Sequence, residues 1–313
     1  MTGDGQLMVA VLGDDEDGNV SAAVERGGGR PGAVADACAL IWSGGDVEDL
    51  AGALEQASGI TWVQLPSAGI ESFRPVVQRW PDLTWTCAKE IYGAPVAEQA
   101  LALLLALRRG LPEFARAGRW SPEVLSEPLL GSGDVVTILG GGGIAVSLAR
   151  LLAPLGVHVR VQRRSVAAGF DGPHAELFGE DQLAAALDGA RALVVTLPLT
   201  DATRGLLGAP ELRRLARGAV VLNVGRGPVL DTAALPPLLA DGTLRGVGLD
   251  VTDPEPLPDD SPLWRHPACL VTAHTANPAP ARIAAFAGLV TENVRRRVAG
   301  EPLRGLVDVA AGY

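Results

Sequence analysis

Residues 135–165 read VVTILGGGGIAVSLARLLAPLGVHVRVQRRS. VVTIL is an apolar run of strand length, Val157 to Val161 is another, and the segment between them has the apolar spacing of a helix. The turn joining the first strand to the helix contains G-x-G-x-x-A at Gly140, Gly142 and Ala145. In that setting the first glycine permits a tight turn and the second lets the backbone approach a pyrophosphate. A small third residue allows close helix packing. Phosphates would then sit at the helix N-terminus, beside Gly142, Gly143 and Ile144. The flanking strand and helix give the pattern its weight, because four successive glycines alone equally describe a surface loop.

An NAD-binding unit normally places an acidic side chain on the ribose 2′-hydroxyl about 20 residues after the glycines. Here the second strand runs out into Gln162, Arg163, Arg164 and Ser165. Two adjacent arginines suit a 2′-phosphate, so NADP(H) is expected in preference to NAD(H), with NAD(H) still possible. A solvated strand end without ligand contact remains open.

Outward from this stretch the same alternation continues. Apolar runs at Leu193 to Leu197, Ala219 to Asn223, Gly246 to Asp250 and Cys269 to Thr272 give a series of six strands with helical segments in most gaps. An earlier series, Leu7 to Leu12, Ala39 to Trp42 and Thr61 to Leu65, predicts a second parallel α/β unit. Residues 92–128 read as a long helix followed by a Pro-containing loop and form the expected hinge. The Gly-rich stretch Gly27 to Gly32 reads as a surface turn.

Three polar residues fall at or beyond predicted strand ends: Arg226 in NVGRGPVLD, Glu255 in LDVTDPEPLP and His274 in VTAHTAN. Hydride addition to a ketone leaves negative charge on oxygen, which calls for a proton donor and a fixed cation. His274 can donate, Glu255 is the carboxylate that would favour an imidazolium, and the planar fork of Arg226 can grip a keto-carboxylate. The other three histidines have structural explanations: His158 in a strand, His174 in a Gly/Pro loop and His266 in the turn WRHP.

The bulk numbers narrow the choices. With 313 residues the chain suits two domains and, with them, a cleft. A net charge of −10 disfavours nucleic acid or an anionic membrane as partner. Cys38, Cys87 and Cys269 are odd in number and widely spaced, which indicates neither a disulfide framework nor a zinc site and fits a reducing cytoplasm. The N-terminus has no signal-peptide pattern, and the most apolar helix candidate, Val96 to Leu107, is too short to span a bilayer.

Several motifs, in order, resemble the D-isomer-specific 2-hydroxyacid dehydrogenase family, with the NADPH-linked glyoxylate and hydroxypyruvate reductases closest in look. They are YGAPVAEQALALLLALRR from Tyr92, the Gly-rich turn, TLPLTDATRGLL from Thr196, NVGRGPVLD, LDVTDPEPLP and PLWRHPACLVTAHTA from Pro262. The resemblance implies that Arg226, Glu255 and His274 form the catalytic trio. It also implies that Asp250 lies near the nicotinamide carboxamide and that Leu197, Pro198, Thr203 and Val224 line the cofactor. Backbone amides of Ser67, Ala68 and Gly69 would bind the substrate carboxylate, although an ordinary turn is the bland reading there. A Rossmann-type cofactor domain (residues 93–277) would be inserted in a flavodoxin-like substrate domain (1–92 and 278–313), and a homodimer is expected. The expected activity is reduction of a small 2-keto acid to a D-2-hydroxy acid. A dinucleotide-sensing interaction protein without turnover stays as the rival, and a dehydrogenase for an unusual hydroxy acid or phosphonate as a variant. One departure stands out: the family's usual T-P-H reads T-A-H here, with Ala273 before His274.

Overall fold

The computed structural model describes residues 6–15, 17–89, 91–120 and 130–309. The chain divides into two compact units, one of residues 1–92 and 279–313 and the other of residues 93–278, so the second is inserted in the first along the sequence.

The first unit is a five-stranded parallel sheet of β1 (Leu7–Leu12), β2 (Gly29–Pro31), β3 (Ala39–Trp42), β4 (Trp62–Gln64) and β5 (Thr84–Thr86), in the order β2-β1-β3-β4-β5. That is the flavodoxin-like winding. Helices α1 (Asn19–Arg26), α2 (Val47–Gln56) and α3 (Arg74–Arg79) connect the strands. A 21-residue C-terminal helix, Ala279–Ala299, packs Phe286, Val290 and Val294 into a core shared with Val9, Val24 and Ile41. Strands buried on both faces explain the unbroken apolar run of β3, where all four residues are buried. The stretch Gly27 to Gly32, expected to be a surface turn, instead carries β2, pairing Leu7 with Gly29 and Val9 with Pro31. Gly29 makes this edge strand possible: a Cβ there would stand 2.9 Å from Val294 Cγ1. Its lack of apolar alternation hid it from sequence reading.

The second unit begins with two helices, α4 (Gly93–Arg108) and α5 (Leu111–Ala117), where one helix and a loop were expected; residues 121–129 of that stretch lie outside the described residues. Gly110, at φ 65, separates the two. There follow β6 (Val135–Leu139), α6 (Gly143–Leu152), β7 (His158–Gln162), β8 (Glu176–Phe178), α7 (Leu183–Leu187), β9 (Ala192–Val195), α8 (Ala209–Leu212), β10 (Ala219–Asn223), α9 (Leu235–Ala240), β11 (Leu244–Leu249) and β12 (Cys269–Val271). The sheet has seven parallel strands, not six, in the order β12-β11-β10-β9-β6-β7-β8. The strand missed is β8, three residues with only Phe178 buried, at the sheet edge after a Gly/Pro loop. This is the Rossmann order with one strand added, and its direction reverses between β6 and β9, the switch point where such sheets bind ligands. Helices α4 and α6 cover one face through Leu103, Leu104, Leu107, Leu148 and Leu152, while Leu235, Leu238 and Leu239 of α9 belong to the other core.

Among the described residues no helix is long and apolar enough to cross a membrane.

Candidate active site

The Gly-rich turn leaves β6 at the switch point. Gly140 has φ 108, a conformation that L side chains rarely adopt, and its N–H donates to Gln162 O at 2.8 Å. Gly142 is the N-cap of α6, and nothing lies within 4 Å of where its Cβ would stand. The turn therefore offers an open backbone face at a helix N-terminus, which fits a pyrophosphate. Ile144 is half-buried, and Ala145 is fully buried against the core beneath α6.

Arg163 and Arg164 follow β7, next to β6. The stem of Arg163 lies over the turn, with Cδ and Nε each 3.1 Å from where a Gly141 Cβ would be, and its guanidinium donates to Gly169 O. Arg164 is exposed. Beyond β9, Leu197 and Pro198 begin a loop folded back on itself by Thr203, whose hydroxyl donates to Pro198 O at 2.7 Å. Val224 is buried after β10 and donates its N–H to Val195 O at 3.1 Å.

Arg226, Asp250, Glu255 and His274 lie beyond the carboxyl ends of the adjacent strands β10, β11 and β12. Asn223 pins the arginine loop: its Nδ2 donates to Arg226 O at 2.9 Å and its Oδ1 accepts from Gly225 N at 3.1 Å. A Cβ on Gly227 would collide with the Thr252 carbonyl, so a glycine there lets the arginine loop pass against the loop that bears Glu255. His274 Nδ1 donates to Glu255 Oε1 at 2.7 Å, and Glu255 Oε2 accepts from Thr252 N at 3.3 Å. Since Nδ1 is engaged, Nε2 is the nitrogen left to face a reactant. Both side chains stay accessible, 55% for His274 and 43% for Glu255.

Asp250 is only 2% exposed. Its Oδ1 accepts from Thr272 Oγ1 at 2.6 Å and Thr275 N at 3.0 Å, and its Oδ2 from Ala276 N at 3.1 Å. The aspartate thus shapes the histidine loop. Sequence reading missed Asn223, Gly227 and Thr272; the positions of the first two in N-x-x-R-G were a usable signal, whereas the role of Thr272 depends on β11 and β12 pairing Leu249 with Val271.

In the first unit, the loop after β4 holds Ser67, Ala68 and Gly69. Their three carbonyls accept from Ala88 N, Cys87 Sγ and Ser67 Oγ respectively. Tyr92 O–H donates to Pro66 O at 2.8 Å, and burial pushes its phenol up to about 12.

A glycine-floored nucleotide turn and a carboxylate–imidazole pair on one sheet edge are the equipment of dinucleotide-dependent oxidoreductases. The D-isomer specific 2-hydroxyacid dehydrogenase NAD-binding domain model matches residues 101–276. The chain belongs to that family, and it is accordingly an oxidoreductase. It is 39% identical over 262 residues to an uncharacterized protein in the proB 3′ region of Corynebacterium melassecola, covering 81% of this chain and 84% of that one. Glyoxylate/hydroxypyruvate reductase A of Salmonella choleraesuis is 37% identical over 179 residues, which is 57% of this chain and 56% of the reductase. Among solved structures, a D-isomer specific 2-hydroxyacid dehydrogenase of Xanthobacter autotrophicus in complex with NADPH and MES superposes with TM-score 0.81 at 30% identity, covering 98% of this chain and 99% of that one. The NADPH-dependent glyoxylate/hydroxypyruvate reductase of Sinorhizobium meliloti, with NADP and sulfate, gives 0.80 at 26% identity, covering 98% and 100%.

Proposed function

We propose that this chain reduces a small 2-keto acid to the D-2-hydroxy acid, with NADPH preferred over NADH. The observation that carries the reading is the 2.7 Å pair of His274 Nδ1 and Glu255 Oε1 beside the Arg226 loop, on the sheet edge that also bears the nucleotide turn. Gly140, Gly142, Gly143 and Ile144 would hold the pyrophosphate, and Arg163 and Arg164 the 2′-phosphate. Leu197, Pro198, Thr203, Val224 and Asp250 would line the nicotinamide end. When bound, the dinucleotide supplies a hydride to C2 of the keto acid.

The chain's own residues do the rest. Arg226 orients the keto acid through its carboxylate and carbonyl oxygen. As C2 is reduced, the carbonyl oxygen takes up the electron pair and then the proton on His274 Nε2. Glu255 holds the imidazole in orientation and stabilises its charged form. The amides of Ser67, Ala68 and Gly69 are proposed as further anchors for the substrate carboxylate. A cytoplasmic homodimer completes the reading, supported by three cysteines that form no disulfide and by the exposed Leu111, Phe114 and Trp120 on and after α5.

The test is oxidation of NADPH and of NADH, followed by nicotinamide absorbance, against glyoxylate, hydroxypyruvate, pyruvate, phenylpyruvate and branched keto acids. Turnover with NADPH is expected. Tight dinucleotide binding with no turnover of any member would overturn the reductase reading in favour of a sensing role.

A further inference from the structure

We propose that Thr272 and Gln99 are positioning residues for the proton donor and act on it through Asp250; the inference rests on the reading of His274 as that donor. Among the described residues His274 is the one non-glycine residue with positive φ, at 52°. Such a conformation strains an L-residue and persists only where the surroundings over-determine it.

Asp250 supplies that determination. Its carbonyl accepts the His274 N–H at 2.9 Å, and its carboxylate accepts the N–H groups of Thr275 and Ala276 at 3.0 and 3.1 Å. Three successive amides are thereby gathered on one residue. The carboxylate is itself aimed by a side-chain donor, the Thr272 hydroxyl at 2.6 Å. A hydroxyl has one proton, and with that proton committed to Asp250 its lone pairs are turned toward Gln99 Nε2, 3.3 Å away on α4. The chain of contacts runs from a buried helix, through Gln99, Thr272 and Asp250, to the backbone beneath the imidazole.

Ala273 before His274 leaves the entry into the loop freer than a proline's fixed φ would, and φ of His274 itself is held by the hydrogen bonds to Asp250. If the loop relaxes to negative φ, the imidazole rotates off Glu255 and Nε2 leaves its line of approach. Neither Arg226 nor the Gly-rich turn is a partner in these bonds. Loss of the Thr272 bond, with Asp250 still in place and the pyrophosphate and 2′-phosphate seats untouched, should therefore lower kcat far more than it weakens NADPH binding.

The test compares Thr272→Val, Thr272→Ser and Gln99→Leu in NADPH-dependent reduction of whichever keto acid the parent turns over best, with NADPH dissociation constants from nucleotide fluorescence. A displaced general acid should lower kcat of Thr272→Val by about tenfold or more, with KM for the keto acid and Kd for NADPH within about threefold of the parent. Thr272→Ser, which keeps the hydroxyl, should recover most of kcat. Gln99→Leu should lose less, about two- to fivefold, because it only orients that hydroxyl. A parent-like kcat in Thr272→Val overturns the inference. So does an equal loss in Thr272→Ser, or a rise in the NADPH Kd matching the fall in kcat, which would make the clamp part of the nucleotide seat. If Thr272→Val does not fold, a parent-like kcat in Gln99→Leu is the overturning result. His274→Ala is measured alongside: if it retains turnover, the donor assignment itself fails, whereas a dead His274→Ala with a parent-like Thr272→Val removes only the positioning role.

Discussion

Two alanine substitutions, only two residues apart, should separate what the Gly-rich turn does for the fold from what it does for the nucleotide. At Gly140 a Cβ would stand 2.6 Å from Thr196 Oγ1 and 3.2 Å from Thr196 C and O. Thr196 cannot easily yield, because its hydroxyl and its N–H both donate to Leu139 O, at 2.8 and 2.9 Å. Strain at φ 108 costs about 1–3 kcal/mol, and the overpacking costs a further ~1–3 kcal/mol. Together they give roughly 2–6 kcal/mol, which for a unit of this size lowers the melting temperature by on the order of 5–20 °C. At Gly142 the backbone, φ −85 and ψ −168, suits any residue, and the space is open. Gly142→Ala should therefore melt close to the parent, since a gain of about 0.4–1 kcal/mol from restricting the unfolded chain is offset by the comparable cost of alanine as the N-cap of α6. Its new methyl group, however, would stand in the proposed path of the pyrophosphate, so its NADPH Kd should rise about tenfold or more, equivalent to ~1.4 kcal/mol. Circular-dichroism melts of the apoproteins and nucleotide fluorescence titrations read both quantities. A Gly140→Ala protein melting within about 1 °C of the parent would refute the steric argument, and an unchanged NADPH Kd in Gly142→Ala would refute the assigned seat.

Replacing Arg163 and Arg164 by Ala should raise KM for NADPH by about 10- to 100-fold, the worth of one or two charge-assisted hydrogen bonds, and leave KM for NADH nearly constant; equal effects on both would sink the 2′-phosphate assignment. Asn293→Leu should destabilise the first unit by about 3 kcal/mol or more, because its amide joins Gln64 Oε1 at 2.8 Å to the backbone of Arg304 in a buried network, and an unchanged urea midpoint would contradict this. Burial holds His266 below the usual histidine range, and its Nδ1 accepts from Ala268 N at 3.2 Å. A depressed folded-state pKa contributes stability that is present above the unfolded value of about 6.5 and lost as pH falls through the folded value. Stability should therefore drop with acidification below about pH 6.5, and His266→Gln should flatten that slope.

The parts of the molecule legible in sequence were those whose physics is local. β6 and β10 occur with the boundaries read from their apolar runs, and the strand–turn–helix around Gly140 needs only neighbouring residues. Strands β2, β5 and β8 were not read because each is three residues long and interrupted by glycine, proline, threonine or glutamate, too short to show a periodic apolar signal. The break between α4 and α5 was hidden because Pro112, in the first turn of α5, is compatible with a helix start as well as with a loop. At the candidate site, motif order proposed Arg226, Glu255 and His274, and the structure places Glu255 and His274 in contact. The hydrogen bonds that fix them could not be read, since Asn223, Thr252 and Thr272 act through strand register and loop contact, which depend on the pairing of β10, β11 and β12.

The most direct test of the central claim is His274→Ala, assayed for keto-acid reduction and NADPH binding in the same preparation. Removal of the proposed proton donor should lower kcat by about 10²–10⁴-fold while the NADPH Kd stays at the parent value. Turnover near the parent rate would show that the proton comes from elsewhere and contradict the role given to the Glu255–His274 pair.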